Sequence, residues 1–542
     1  MISISRIVLA GLAVALCFPR GSAEETAGRP NILFLITDDQ FKEMMNWYPE
    51  GKGKNLTPHT DKLAAEGTVM NRQYVTSPVC TPSRFGCLTG RYPSRSTARE
   101  FLRSTAQANG QTVVQWNTFI TDGKGTLPMA LRDAGYFTGI VGKNHVIDTR
   151  GLRNTKWESD PNSEETKSAL AHNAKVQAEA AKRVGFDFAA SLYFNNPVEN
   201  GVKALASHNL DYIAKGAFDF IDESKSNGKP FFLYLATTVP HGPQEGARSW
   251  NADRRITAEG MLDEPLAVLP DKKTIPERLK AAKIRGYQKE NVLWLDDMVG
   301  AVIDKLEATG QLDNTILVYF NDHGQKSKGT VYEGGVHGES FFWRKGGFPV
   351  GNTCDVPVSN VDFAPTLLDL AGVSYDPATY DGKSFADVLL GKDKGGDRGS
   401  LYFELGYVRG VLKGKWKYIA LRYPKSALEM TREERQRALD QFNAEQKRKG
   451  RPIYTQDPME KFSHVMLVPG GGDAEHMSMG RYPAFYEADQ LYNIEEDPDE
   501  QNNLAGDHGY QDKLNEMKDE LKKHLDGLPG SFGELKPDAG ND

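Results

Sequence analysis

Residues Asn31-Ile-Leu-Phe-Leu-Ile-Thr37, entered from Pro30 and ended by Asp38-Asp39, are a near-continuous apolar run of strand length. Such a run marks a strand buried on both faces, as in a parallel sheet. The pattern recurs. Gly135-Tyr-Phe-Thr-Gly-Ile-Val141 stops at Gly142-Lys143-Asn144-His145, and Pro230-Phe-Phe-Leu-Tyr-Leu-Ala236 runs on to Pro240-His241. Thr315-Ile-Leu-Val-Tyr-Phe320 stops at Asn321-Asp322-His323. Helical stretches lie between, at Leu205–Ser224 and Tyr287–Leu306. In the second, Val292, Leu295, Val299, Val302 and Leu306 share one face at three- and four-residue spacing. Alternating strands and helices predict an α/β fold, a large mostly parallel sheet sandwiched by helices. Ligands of such sheets bind beyond the carboxyl ends of the strands. Four strands here end in charged or imidazole side chains, so that end is the expected site.

The texture changes after Leu370. Ser400–Leu405, Val408–Lys413 and Trp416–Ala420 are short, β-rich and closely spaced, as in an antiparallel meander, with Leu491–Asn493 as a further strand. Gln511–Leu528 reads as a closing helix, with Leu514, Met517, Leu521 and Leu525 on one face. These predict a smaller C-terminal α+β domain, an antiparallel sheet plus helix, over 396–542. The larger domain then spans 24–395. An insertion, 421–490, interrupts the smaller one. Within it Ser426–Lys449 is dense in charge and predicts a solvated helix, and Gly470-Gly-Gly472 a flexible joint.

Composition bounds the function. The chain has 542 residues and a formal net charge of −7, which argues against a basic nucleic-acid binder. Residues 1–23 read as a signal peptide: Arg6, an apolar run Ile7–Phe18 too short to span a bilayer, then Gly21-Ser-Ala23. The mature protein is expected to be secreted or periplasmic, with no membrane partner. The signal contains Cys17, which leaves Cys80, Cys87 and Cys354, an odd thiol count for an exported chain.

Cys80-Thr-Pro-Ser-Arg84 is the central motif. On its own it is open to two readings. The cysteine is an inert buried hydrophobe, or a thiol activated by the guanidinium. The pair Asp38-Asp39 is equally open, as a helix cap or turn or as a metal site. The motif followed by Leu88-Thr-Gly-Arg91 resembles the signature of the type I sulfatases, within the alkaline phosphatase superfamily. Pro30–Asp39, Gly142–His145, Pro230–Pro243, Asn321-Asp-His-Gly324, Gly329–Gly335 and Asp362–Gly372 resemble further blocks of that family, in family order over roughly residues 30–500.

The resemblance implies an exported sulfuric ester hydrolase. Cys80 would be oxidised to formylglycine by a dedicated maturation enzyme. One hydroxyl of the hydrated aldehyde attacks sulfur, and the other re-forms the carbonyl and releases sulfate. Asp38, Asp39, Asp322 and His323, with residue 80, would hold one divalent cation. Three carboxylates favour Ca²⁺ over Mg²⁺. His323 departs from the family's usual Asn and is a softer ligand. Lys143 and Lys328 would hold sulfate oxygens, Arg84 would orient the diol, His145 would accept a proton and His241 would give one to the leaving alcohol. His59 receives no role, and His337, where the family often has Arg, reads as a residue that backs the site or as structural.

The expected substrate is a sulfated polysaccharide or oligosaccharide. Trp116, Trp157, Trp250, Arg254 and Arg255 are candidate sugar contacts, as are His476, Arg481, Tyr482 and Tyr486 in the insertion. Ordinary core or surface roles are equally open for each. Two alternatives are a phosphate or phosphonate monoester hydrolase of the same superfamily and a non-catalytic sulfated-glycan binder.

Overall fold

The computed structural model describes residues 28–535 except 397, 449, 451, 452, 454, 461–477 and 479. The expected leader and the Gly470–Gly472 joint, with His476, lie outside the described residues. An eight-stranded sheet forms the centre. Its strands are β1 (Asn31–Asp38), β2 (Thr68–Met70), β3 (Phe137–Lys143), β4 (Phe188–Tyr193), β5 (Phe231–Pro240), β6 (Thr315–Asn321), β7 (Ser340–Trp343) and β8 (Thr353–Cys354), in the order β8-β2-β7-β6-β1-β5-β3-β4. The inner pairings β6-β1, β1-β5, β5-β3 and β3-β4 are parallel, and β7 runs antiparallel to both neighbours.

The apolar runs become strands because alternate residues serve two cores. Ile32, Phe34 and Ile36 enter one hydrophobic cluster, and Leu33 and Leu35 the other. Phe232 and Tyr234 part from Phe231 and Leu233 in the same way. Helices fill both faces. Helix α1 (Cys80–Thr89) is wholly buried and lies with the first core. Helices α2 (Leu210–Asn227) and α3 (Lys289–Ala308) line the second, where the predicted stripe of α3 is buried from Val292 to Leu306.

The C-terminal sheet is antiparallel, with β9 (Leu401–Leu405), β10 (Val408–Lys413), β11 (Trp416–Leu421) and β12 (Asp489–Asn493) in sequential order. Between β11 and β12 lies helix α4 (Arg432–Arg448), which buries only Arg435, Leu439 and Gln446. It is the solvated helix its composition predicts. Helix α5 (Gln511–Asp526) buries Leu514, Met517 and Leu521 against Tyr402, Val411 and Tyr418. An ion triad ties the small sheet to the segment between β6 and β7: Lys417 Nζ on β11 lies 3.0 Å from Glu333 there and 2.9 Å from Glu500, which follows β12. Among the described residues no helix is long and apolar enough to cross a membrane.

Candidate functional site

Strands β1, β3, β5 and β6 are neighbours and run the same way, so the residues at their carboxyl ends meet. Asp38 closes β1, and Asp39 follows with a left-handed φ of 60°. That turn sends successive carboxylates to different partners. Asp38 Oδ2 accepts from Arg84 Nη2 at 3.0 Å and from Lys143 Nζ. Asp39 Oδ1 accepts from Lys328 Nζ at 2.5 Å and faces His323 Nε2 at 3.2 Å, while Asp39 Oδ2 faces His241 Nε2 at 3.4 Å. Arg84 Nη2 also reaches Asp322 Oδ2 at 3.1 Å.

Cys80 is the first residue of α1, and Arg84 lies one turn later on the same face. Cys80 Sγ lies 3.5 Å from Asp38 Oδ1, 3.7 Å from His323 Nε2 and 3.7 Å from Lys328 Nζ. Two triads of potential ligand atoms share it. Asp38, Cys80 and Asp322 form one, and Asp39, Cys80 and His323 the other, each within 4.8 Å. A third triad joins Asp38, Asp39 and His241. The sequence-predicted ligands therefore gather around residue 80 in two groups that share it. Three carboxylates that only accept, with one imidazole, are a donor set that fits a hard divalent cation.

The electrostatics are those of a compensated charge cluster. Burial alone would raise Asp38, but Lys143 and Arg84 outweigh it and hold its carboxyl far below the ordinary range. Burial also works against a proton on His323. Asp322 outweighs it and holds that ring well above its ordinary value. A cation taking Nε2 must displace this proton. Burial, then Lys143, hold His145 well below its ordinary value, so its ring is neutral. Burial and Asp38 push the Cys80 thiol up. The unmodified side chain is therefore a thiol and not the thiolate that nucleophilic attack requires.

His145 is placed less directly. Its φ of 47° turns it off the end of β3, and its Nδ1 is buried without a hydrogen-bond partner. Among the described residues no hydrogen bond links its ring to Cys80.

One residue at the site, Asn196, stood out in no sequence pattern. Asn196 accepts from Lys143 Nζ at 2.7 Å through Oδ1, and its Nδ2 lies 3.4 Å from His241 Nε2. It follows β4, a strand the apolar pattern did not reveal. The Asn195-Asn-Pro197 turn after Tyr193 was the available clue. Asn321 fastens the ends of β1 and β6 together: Nδ2 donates to Gln40 O at 2.8 Å and to His323 O at 2.7 Å.

The expected sugar contacts are mostly occupied otherwise. Arg254 pairs with Asp211 and Arg255 with Asp253, while Trp250 and Trp116 pack against the two cores. Trp157 is exposed, as are Arg255 and Arg481. Tyr482 is buried and stacks on Tyr332 with centroids 3.7 Å apart and planes 6° apart, so no sugar can lie on it. Arg481 Nη1 donates to Lys326 O and to Ser327 Oγ. His337 stacks on Tyr74, with Nε2 2.9 Å from Asn71 O, and His59 packs against Gly300 of α3. Cys80, Cys87 and Cys354 are all free and buried.

The profile of the sulfatase family matches residues 30–373, the span that carries every strand end described above. The chain belongs to the sulfatase family. This sulfatase is 27% identical over 399 residues to the N-acetylglucosamine-6-sulfatase of Homo sapiens, a match covering 67% of this chain and 65% of the human protein. It thus spans just under two thirds of that relative's length. It is 25% identical over 523 residues to the ulvan-active sulfatase of Formosa agariphila, covering 92% and 75%. Among solved structures, the PsFucS1 sulfatase from Pseudoalteromonas sp. matches with a TM-score of 0.55 at 17% identity, over 94% of this sulfatase and 93% of that chain. BT4656 in complex with its substrate D-glucosamine-2-N,6-O-disulfate matches with a TM-score of 0.54 at 19% identity, over 92% and 98%. At such identities the likeness shows the fold. It includes the small C-terminal sheet.

Proposed function

We propose that this sulfatase is an exported hydrolase of sulfate esters on a sulfated poly- or oligosaccharide, acting at residue 80 with one divalent cation. The observation that carries the reading is the meeting of Cys80 Sγ with Asp38, His323 and Lys328 within 3.7 Å, at the head of the Cys-Thr-Pro-Ser-Arg helix. Two relatives in sequence are named for sugars, the N-acetylglucosamine-6-sulfatase and the ulvan-active sulfatase, and 1–23 reads as a signal. The catalytic domain is taken as 24–395 and the smaller domain as 396–542.

Conversion of Cys80 to formylglycine, by a maturation enzyme, would supply a geminal diol as the nucleophile that turns over. Asp38, Asp39, Asp322 and His323 would hold Ca²⁺, which supplies Lewis acidity at the ester oxygens. The chain's own residues do the rest. Lys143 and Lys328 lie on either side of the carboxylate cluster and bind sulfate oxygens, offsetting charge as the ester bond breaks. Arg84, held by Asp38 and Asp322, keeps the first turn of α1 and residue 80 in place. His145, neutral and with Nδ1 unpartnered, accepts a proton. The carbonyl of Gly242 lies 3.0 Å from His241 Nδ1 and fixes a proton there. With Nδ1 so held, Nε2 faces Asp39 and is the atom that would give a proton to the departing alcohol.

Turnover of 4-nitrophenyl sulfate and 4-nitrophenyl phosphate by the matured full chain tests this. The sulfate ester should be preferred, activity should vanish on chelation, and Ca²⁺ should restore it better than Mg²⁺. Preference for the phosphate, or full activity in chelator, would refute the reading.

A further inference from the structure

A cavity of 610 Å³ lies between the segment that follows β1 and the segment that leads into α3. That volume falls within the roughly 300–1,000 Å³ of small-molecule pockets. Phe41 and Tyr287 form its aromatic wall, with centroids 5.8 Å apart and planes at 79°. Three cations line it: Lys54, Lys283 and Arg285. All three are exposed, and none pairs with a carboxylate among the described residues. The one carboxylate on the wall is Glu43. The lining therefore carries an excess of two positive charges, on a chain whose net charge is −7.

The position follows from the chain. Phe41 comes two residues after Asp39, so the cavity begins within about 7 Å of the Asp39 backbone. On the other side Tyr287 Oη donates to Gln244 Oε1 at 2.8 Å, three residues after His241. The loop carrying Lys283, Arg285 and Tyr287 is also held firmly. Lys283 and Gln288 are non-glycine residues with φ of 57° and 52°, a conformation that costs energy and persists only where its surroundings enforce it. Gly286 lies so close to the segment Lys54-Asn55 that a Cβ there would meet Lys54 O at 2.6 Å. Strained ends, a glycine contact and a hydrogen bond to Gln244 together fix two cations and an aromatic ring beside the loop that carries His241.

From this we infer that the cavity is a second binding subsite, which takes a neighbouring sulfated sugar ring of the same glycan while the scissile sulfate lies at residue 80. The rings of Phe41 and Tyr287 offer apolar faces to the sugar's C–H bonds. Lys54, Lys283 and Arg285 pair with its sulfates or carboxylate. The inference rests on the proposed function for the identity of the ligand, and on the cavity alone for its charge and shape.

The test separates the two. In a Cys80→Ala background, which removes turnover, calorimetric titration with sucrose octasulfate reads the subsite directly. Binding should weaken about tenfold in Lys283→Ala/Arg285→Ala and several-fold in Tyr287→Leu, since paired cations and a stacking face each carry part of the affinity. In Cys80 enzyme, the Lys283→Ala/Arg285→Ala substitutions should leave kcat/KM on 4-nitrophenyl sulfate within about twofold, because only binding remote from the reacting centre is removed. No binding of sucrose octasulfate, or equal binding by the parent and the double variant, overturns the subsite. An equal loss of aryl sulfate turnover overturns it as well, because the loop would then serve the reacting centre. Failure of the unsubstituted enzyme to cleave 4-nitrophenyl sulfate would instead refute the proposed function, and leave the binding result to stand by itself.

Discussion

Tyr482 Oη lies 2.6 Å from Ser327 Oγ, one residue before Lys328. Ser327 and Tyr482 are both buried, and Arg481 donates to the same short segment through Lys326 O. The insertion between β11 and β12 thus braces the loop that carries Lys328 to Asp39. The ion triad of Lys417 with Glu333 and Glu500 braces the following turn. In this sulfatase the C-terminal sheet supports the site from behind.

That arrangement reverses the sequence-based expectation for Tyr482. Tyr482→Phe should lower kcat several-fold on 4-nitrophenyl sulfate and on a sulfated polysaccharide alike, with KM little changed. Tyr482→Ala also loses the stack on Tyr332 and should cost about 3 kcal/mol of stability. Steady-state kinetics on both substrates check this. A KM rise confined to the polysaccharide would return Tyr482 to a glycan-reading role.

Arg84 is fully buried between Asp38 and Asp322. Removing one member of such a network leaves uncompensated charge, so Arg84→Ala should lose about 3–5 kcal/mol in urea unfolding. Arg84→Lys should recover the fold only in part, because an ammonium cannot reproduce the guanidinium's fork between two carboxylates. Equal stability of Arg84→Ala and the parent would mean that the carboxylates are compensated from elsewhere.

Glu339 supplies a pH signature. Burial pushes its carboxyl from the ordinary 4.5 up to about 7, against the hydrogen bond from Asn321. The folded state therefore holds this proton more tightly than the unfolded chain. The contribution is full below pH 4.5 and is lost as pH rises through about 7. Glu339→Gln has no proton to lose. Its stability relative to the parent should climb across that window by on the order of 3 kcal/mol and level off above it. Parallel stability–pH curves for the two proteins would contradict this.

What was legible in the sequence follows physical lines. Strands β1, β3, β5 and β6 are buried on both faces, so their apolar runs are unbroken and their charged ends stand out. Strand β4, Phe-Ala-Ala-Ser-Leu-Tyr, is the edge strand, and its first half is only partly buried. It carries no such run, and Asn196 beyond it was missed with it. Tyr482 was misread because an aromatic beside an arginine looks alike whether it meets a sugar or a core. Lys54, Lys283 and Arg285 lie more than 200 residues apart at the extremes and have no local pattern at all. Only the fold brings them to one cavity.

The central claim is that residue 80 acts as formylglycine, and mass spectrometry of the tryptic peptide containing it is the direct measurement. In enzyme active on 4-nitrophenyl sulfate, the peptide should be about 18 Da lighter than the cysteine form, with specific activity proportional to the converted fraction across preparations. A fully active preparation in which Cys80 keeps its thiol mass would contradict the account.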